Sequence, residues 1–264
     1  MPRGRAQAQS TRVGRIAFRT PLLLGGQAAR AGLSCESCHQ AGRNNPAFLF
    51  PGLSDVPGTA DVTASLMSSH RGDGVFNPKP IPDLAGPAAS LHKVPDKAPA
   101  ALRAFIHGLI VEEFDGPEPP VAVLDGIVAY VRALSPSGCR GTGPVLVTLA
   151  ERVADARMAL TAAATALANG DPATGRLMIA GARAQLGLID ERFQRPGLEP
   201  ERARLLGLDQ DLAAIQTLLQ QSPKDARARL AGASVSLGEV ERVLQPKVGL
   251  SFFDPNLVTA DPAH

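Results

Sequence analysis

Hydrophobic residues recur at intervals of three and four along much of the second half of the chain, which is the spacing of helices. The four segments with this pattern are 145–169, 172–193, 199–221 and 223–244. Asp171-Pro172 and Ser222-Pro223 each combine a capping residue with a proline at the first helical position, so two helices are expected to begin there. Four helices with short connections favour an up-and-down four-helix bundle.

Two of these helices are similar in sequence at a shift of 51 residues. The first set is Arg176, Ala180, Gly181, Ala182, Leu186 and Gly187, and it recurs as Arg227, Ala231, Gly232, Ala233, Leu237 and Gly238. The repeat suggests a duplicated helical hairpin, and chance similarity between two Ala-rich helices is the alternative.

The first half of the chain is rich in Pro and Gly and has fewer segments of helical length. The helices predicted there are 26–39, a short one at 60–69, 99–111 and 120–134. No alternation typical of strands extends beyond a few residues. The predicted fold class is therefore all-α.

Composition divides the chain into five parts. They are a flexible arm at 1–13, a first domain at 14–134, a linker at 135–144, a helical bundle at 145–245 and an irregular tail at 246–264. The arm is rich in Arg, Gln and Ser, the linker is rich in Gly, Ser and Pro, and proline becomes rare after the linker.

Composition also excludes several classes of protein. Aromatic residues make up 4% of the chain, so the cores must be built from Ala, Leu, Val and Ile. With 27 Lys and Arg against 25 Asp and Glu, the charge is too balanced for nucleic-acid binding driven by bulk charge. Three cysteines are too few for a disulfide scaffold. No apolar run approaches the roughly 18 residues of a transmembrane helix.

The motif Cys35-Glu36-Ser37-Cys38-His39 carries the clearest chemistry in the sequence. C-x-x-C-H is the attachment pattern of haem c, in which two thiols one helical turn apart add to the two vinyl groups of the porphyrin. The adjacent histidine then binds the iron. The sequence therefore predicts one covalently bound haem c, held by Cys35, Cys38 and His39.

Three other chemistries use paired cysteines. A redox dithiol would need a strand–helix unit of thioredoxin type, and no such pattern precedes Cys35. A zinc site would need two more ligands, for which only Cys139 and scattered histidines are on offer. A disulfide between Cys35 and Cys38 would be strained and would leave His39 without a role.

Several segments of the first domain resemble those of one known protein family. Residues 14–26 are GRIAFRTPLLLGG, residues 32–39 are GLSCESCH, and Pro82-Asp83-Leu84 follows Phe76-Asn77-Pro78 further along. Together with two later helices at 102–114 and 124–134, they resemble the bacterial cytochrome c peroxidase family, the di-haem group that includes MauG-like proteins. The resemblance covers about residues 14–134 and implies a cytochrome c-like haem domain, which the helical bundle follows.

The sequence departs from that family in ways that bear on activity. It has one haem motif where the family has two, and it lacks the Trp that the family often places between its haems. Phe105 stands near where the resemblance would place a glutamine of the peroxide site, whereas Glu112 and Glu113 lie on the matching helix. Peroxidase activity therefore does not follow from the resemblance. Glu112 and Glu113 become candidates for the acid–base group if the iron is open.

The second axial position of the iron decides between electron transfer and small-molecule chemistry. Met67, which lies 28 residues after His39, is the first candidate because it is the only Met of the first domain besides Met1. His70 and His107 are alternatives, and an open position is a third. A Met or His ligand favours electron transfer, and an open iron favours reaction with peroxide.

The expected function is that of a mono-haem c-type cytochrome that exchanges electrons with a redox partner protein. The alternatives are a peroxidase-like oxidoreductase with an open iron, and a haem-bearing binding or sensor protein. Because haem c is attached outside the reducing cytosol, a periplasmic or otherwise extracytoplasmic location is expected. The sequence shows no signal peptide, so one encoded upstream is expected. The pattern makes no prediction of the oligomeric state.

Overall fold

The computed structural model describes residues 2–63, 66–85, 98–134 and 147–259, and it is mostly helical. The predicted linker at 135–144, with Cys139, lies outside the described residues. The chain divides into two compact units, Met1–Gly141 and Thr142–His264, which we call the first unit and the four-helix unit.

The first unit is built mainly from helices. Its α-helices are α1 (Pro2–Phe18), α2 (Gly26–Arg30), α3 (Cys35–Cys38), α4 (Ala98–Gly108) and α5 (Val121–Ala133). Its shorter elements are 3₁₀ turns at Pro21–Leu23 and Gln40–Gly42, a π turn at Leu109–Glu113, and the antiparallel strands β1 (Thr59–Ala60) and β2 (Lys79–Pro80). The predicted helical character is therefore confirmed, with a small pair of strands in addition.

Helices α1 and α5 make the most extensive contact within the first unit. They cross where Gly14 meets Gly126, and a Cβ on Gly14 would lie 1.8 Å from the carbonyl oxygen of Gly126. Val13, Ile16 and Phe18 of α1 are buried beside this crossing. Two glycines thus bring two helix backbones together at a distance that no larger residue allows.

The sequence interpretation of the beginning of the chain was wrong. Residues 2–13, expected to lie in a flexible arm, belong to helix α1. The helix ends in the apolar group Ile16-Ala17-Phe18, which is buried in the core with α5. Burial of that end stabilises the helix, so tertiary packing overrides the polar composition of the preceding residues.

Two predicted helices of the first unit also differ from the structure. The helix expected over 26–39 is interrupted between α2 and α3, where Gly32 has a φ of +69° that no α-helix contains. The helix expected over 60–69 is not formed by the described residues of that segment. There the Asp61 carboxylate accepts hydrogen bonds from the backbone N–H of Thr63 (3.0 Å) and of Asn77 (2.8 Å), which favours a turn.

The four-helix unit contains the four long helices predicted from the sequence. They are α6 (Leu149–Ala168), α7 (Pro172–Arg192), α8 (Glu199–Gln221) and α9 (Pro223–Leu244). Each contacts the next, and α9 returns to contact α6. Asp171 caps α7 as predicted, accepting from Thr174 N at 3.0 Å. Ser222 differs, because its hydroxyl donates to Asp225 Oδ2 at 2.6 Å instead of accepting from the backbone.

The two similar helices bury corresponding positions. The buried seam of α7 and its C-cap is Gly175, Ile179, Ala182, Leu186, Ile189 and Phe193. The buried seam of α9 is Ala226, Leu230, Ala233, Leu237, Val240 and Leu244. Each residue of the second seam lies 51 positions after its counterpart, so the sequence repeat coincides with a repeat in packing. The helices differ beside the seam, where Ala180 and Gly181 are buried but Ala231 and Gly232 are exposed.

The segment after α9, predicted as an irregular tail, contains regular structure. It forms a 3₁₀ segment at Gln245–Leu250 and helix α10 (Pro255–Thr259). Phe252 N donates to the carbonyl oxygen of Arg192 at 2.7 Å, and the Phe253 ring meets Phe193 edge-on at 6.1 Å between centroids. The tail therefore covers the carboxyl end of α7.

Candidate functional site

Helix α3 is a single turn whose first and last residues are the two cysteines of the C-x-x-C-H motif. A capping box fixes its start: Ser34 N donates to Ser37 Oγ at 3.0 Å, and the Ser34 side chain accepts from the backbone of Ser37. Cys35 and Cys38 are free thiols. Residues three apart on one helical turn lie on the same side of it, so the cap presents both thiols together.

Both thiols are held in the neutral form by their surroundings. Burial raises the pKa of Cys35 to about 12 and the pKa of Cys38 to about 11. Reactive redox cysteines have lowered pKa values, because the thiolate is the attacking species. The site therefore lacks the electrostatics of a redox dithiol.

The imidazole of His39 is oriented by a carbonyl group from a distant segment. Its Nδ1 lies 3.1 Å from the carbonyl oxygen of Pro82, which can only accept a hydrogen bond. Nδ1 therefore carries the proton, and the lone pair lies on Nε2, which has no partner among the described residues. Burial lowers the pKa of His39, against the opposing effect of the hydrogen bond to Pro82. The result is a neutral imidazole with a nitrogen ready to bind a metal.

Aromatic side chains from α1 and α5 support this histidine. The rings of Phe18 and His39 lie 6.3 Å apart between centroids, and Tyr130 meets Phe18 edge-on at 5.3 Å. After the motif, Gly42 has a φ of +74°, and a Cβ there would lie 2.6 Å from the side chain of Leu134. The helix crossing at Gly14 thus positions the motif through a short chain of ring contacts.

Two ion pairs fasten the segments on either side of the motif. Arg19 Nη2 lies 3.1 Å from Glu36 Oε1, which also accepts from Ala41 N at 3.0 Å. Arg43 Nη2 lies 2.8 Å from Asp83 Oδ2. The first pair joins the end of α1 to α3, and the second joins the turn after His39 to the segment that carries Pro82.

Met67, the first candidate for the second iron ligand, is 2% exposed and lies in a turn. The residues after it are anchored to the π turn and its C-terminal side: Ser68 Oγ donates to Glu112 O at 2.6 Å, and Ser69 N donates to Asp115 Oδ1 at 2.9 Å. A buried thioether on a fixed turn is compatible with either packing or ligation. Its role as an iron ligand stays a prediction.

The two histidine alternatives are less suited to that role. His70 has 63% of its side chain exposed and lies 3.9 Å from Asp115 Oδ1. His107 Nε2 lies 2.8 Å from Glu118 Oε2, so ligation through that nitrogen would break an existing hydrogen bond. Both side chains therefore have surface carboxylates as their nearest polar partners.

Glu112 and Glu113 lie on the π turn that extends α4, and Arg71 contacts both carboxylates. Glu113 is buried, and its Oε2 has no hydrogen-bond partner among the described residues. Burial raises the pKa of Glu113, while Arg71 lowers it and Glu112 and Asp61 raise it. Glu113 is therefore the member of the pair suited to carrying a proton. The sequence offers no signal for Arg71 and Asp61, since they reach it from loops about 40 or more residues away.

Large apolar side chains between the motif and Pro82 are exposed. They are Leu49, Val56, Leu66, Val75 and Phe76, each between 44% and 60% exposed. Each of these side chains is available for contact with another apolar group.

No family model, curated protein or solved structure matches this chain. Within the described ranges, no helix combines the length and apolarity needed to cross a membrane. No group of three or more His, Cys, Asp or Glu side chains among the described residues is arranged to hold a metal ion directly.

Proposed function

We propose that the first unit is a cytochrome c-like domain that binds one haem c and transfers electrons. The observation that carries the proposal is the pairing of His39 Nδ1 with the Pro82 carbonyl, directly after a helical turn with two free thiols. That hydrogen bond selects the tautomer in which Nε2 can bind iron. A histidine that only filled the core would not need its second nitrogen kept free.

The residues fit the chemistry of a covalently attached haem. Cys35 and Cys38 would supply two thiols for thioether bonds, and His39 would supply a nitrogen to the iron. The exposed apolar side chains between residues 49 and 76 are of the kind that would contact a porphyrin. The haem would supply reversible one-electron chemistry, and the chain's own residues would anchor it, orient the imidazole and exclude water from one side.

Several further features belong to the same proposal. Met67 would supply a thioether to the iron, a redox partner protein would exchange the electron, and the protein would work in the periplasm or another extracytoplasmic compartment, where haem c is attached. The four-helix bundle serves as a separate module, suited to docking a partner.

A second candidate function is a peroxidase-like oxidoreductase with an open iron. It is favoured by Glu113, a buried carboxyl with a raised pKa and a free oxygen on a π turn. Cleavage of peroxide needs a group that moves a proton between its two oxygens, and a buried carboxylic acid can do so. Met67 as ligand and an open iron exclude each other.

Attachment is tested by exporting the chain in a bacterium that attaches haem c, and then measuring haem per chain after acid–acetone extraction. We expect one haem that stays on the chain, and none in Cys35→Ala/Cys38→Ala. Cys139→Ala is the matched control and should keep its haem. A chain that loses its colour on extraction, or that carries two haems, would contradict the proposal.

The ferric absorption spectrum, recorded before and after hydrogen peroxide is added, separates the two candidate functions. Electron transfer predicts a low-spin spectrum that peroxide leaves unchanged. A high-spin spectrum that peroxide converts at a rate lowered by Glu113→Gln would favour the peroxidase-like function instead.

A further inference from the structure

One ion pair brackets both partners of the hydrogen bond on His39. Arg43 lies four residues after His39, and Asp83 directly follows Pro82. Arg43 Nη2 and Asp83 Oδ2 are 2.8 Å apart. The pair therefore closes a ring that contains the imidazole, the Pro82 carbonyl and the two short segments between them.

Each end of this ion pair is fixed to its own side of the site. On the histidine side, Arg43 N donates to Gln40 O at 3.0 Å, and two residues later Asn45 N donates to Cys38 O at 2.9 Å. These bonds fix the backbone on either side of Arg43 against the C-x-x-C-H motif.

On the carbonyl side, Asp83 uses its two oxygens differently. Oδ1 accepts from Ala85 N at 2.9 Å, which fixes the turn after Pro82, and Oδ2 faces Arg43. Before the turn, Ile81 N donates to Gly58 O at 3.0 Å. The carbonyl of Pro82 is thus aimed by local hydrogen bonds, and the ion pair sets its distance from His39.

We infer that Arg43 and Asp83 are positioning residues that hold the Pro82 carbonyl on His39 and thereby set how strongly His39 donates electrons to iron. The inference rests on the proposed haem c. A hydrogen bond from Nδ1 to a carbonyl makes the imidazole a stronger ligand. A stronger donor stabilises ferric iron. The Arg43–Asp83 ion pair, which we call the tether, therefore lowers the reduction potential of the haem.

Single substitutions at the two ends distinguish a tether from plain electrostatics. Removal of the positive charge in Arg43→Gln would by itself lower the potential, and removal of the negative charge in Asp83→Asn would by itself raise it. Loss of the tether raises the potential in both variants. Asparagine keeps the Oδ1 acceptor for Ala85 N, so the turn after Pro82 survives in Asp83→Asn.

The experiment measures the midpoint potential of the haem-loaded full chain by redox titration. We expect both single variants and Arg43→Gln/Asp83→Asn to raise it, so that the ferrous-to-ferric ratio at a fixed applied potential increases up to about tenfold, or about 59 mV. Arg43→Lys keeps a pair with Asp83 and should stay near the unmutated potential.

A second measurement follows the His39 Nδ1–H proton by NMR on histidine labelled with ¹⁵N. Loss of the tether should make this proton exchange with solvent several-fold faster, an effect that a change in surface charge alone does not produce. The control is the Arg103–Asp125 pair, which is 2.9 Å long, has an arginine about as exposed as Arg43, and joins α4 to α5. Arg103→Gln and Asp125→Asn should leave the exchange rate unchanged.

The outcomes separate this inference from the proposed function. If the potentials of the haem-loaded variants move in opposite directions, or do not move, then Arg43 and Asp83 do not position the Pro82 carbonyl. The proposed cytochrome function is unaffected by that result. An unmutated chain that attaches no haem overturns both. If Arg43→Gln fails to fold, as judged by its circular dichroism, Asp83→Asn decides by the exchange rate of the Nδ1–H proton, because asparagine keeps the acceptor for Ala85 N.

Discussion

At the scale of single residues, the orientation of His39 depends on a backbone group rather than on a side chain. The carbonyl of Pro82 can accept but not donate, so it selects one imidazole tautomer without adding a charge beside it. Proline at this position also fixes its own φ, which restricts how the carbonyl can turn. The chemistry of the site thus depends on a residue whose side chain takes no part in it.

Met67 provides the prediction that decides the second axial ligand. Met67→Leu conserves volume at a buried position, so it should cost less than about 1.5 kcal/mol of stability. Because leucine cannot bind iron, the ferric protein should lose its near-infrared sulfur-to-iron band, and the reduction potential should fall. Met178→Leu, at a fully buried position of α7, is the control and should change neither property. If the unmutated protein lacks the band, Met67 is not a ligand.

Glu113 provides a prediction about pH. Its pKa is raised in the folded state by burial, so folding favours its protonated form. That contribution to stability is fully present below the unfolded pKa of about 4.3 and is lost as pH rises through the raised folded value. Glu113→Gln should therefore be more stable than the unmutated chain at pH 7, and the difference should disappear near pH 4. Thermal unfolding of both proteins at pH 7 and at pH 4 measures this difference in stability. A difference of equal size at the two pH values would show that the charge of Glu113 is not its cause.

At the scale of elements, the sequence predicted helices best where their packing is regular. The four long helices of the four-helix unit begin and end within about four residues of their predicted bounds, because their buried positions follow the helical period for five or six turns. Helix α1 was missed because its polar residues dominate the composition, while the buried positions described in it, 13, 14 and 16–18, lie in its last two turns. The segment 60–69 was misassigned because the turn at Asp61 depends on Asn77, which lies far along the chain.

The crossing of α1 and α5 gives a prediction about stability. Gly14→Ala adds a methyl group 1.8 Å from the carbonyl oxygen of Gly126, so the helices must separate. We expect the free energy of unfolding to fall by about 1–3 kcal/mol and the contact between the rings of Phe18 and Tyr130 to weaken. Chemical denaturation followed by circular dichroism measures the loss.

The matched control is Gly108→Ala, because a Cβ on Gly108 would meet nothing within 4 Å and its backbone is helical. Alanine there should be neutral or should stabilise by roughly 0.5–1 kcal/mol. Equal effects of the two substitutions would mean that the crossing is not as close as the structure shows.

At the scale of the whole molecule, the candidate site residues could be proposed from the sequence, but the contacts that fix them could not. Cys35, Cys38 and His39 belong to one short motif, so spacing alone makes them candidates. The partners that fix them, Pro82 on His39 and Arg19 on Glu36, are contacts between segments 43 and 17 residues apart. Such contacts join loops in which hydrophobic residues follow no regular spacing. A single sequence therefore gives no signal of which residues meet.

The four-helix unit provides a prediction about independent folding. Its helices contact one another in a closed ring, and its tail covers the buried ring of Phe193. A fragment of residues 147–259 should be helical and unfold cooperatively. A fragment that ends at residue 250 lacks Phe253 and should unfold at a lower denaturant concentration. A disordered 147–259 fragment, or two fragments of equal stability, would contradict these expectations.

The meeting of Gly14 with Gly126 also sets an order of events in time. The two glycines are about 110 residues apart in the chain, so their contact forms only after nearly all of the first unit has been synthesised. Until α5 docks, Phe18 lacks its Tyr130 neighbour, and the segment with both thiols belongs to an open chain. Under the proposed function, enzymatic attachment of haem at Cys35 and Cys38 would have an interval in which to act, and the docking of α5 would end it.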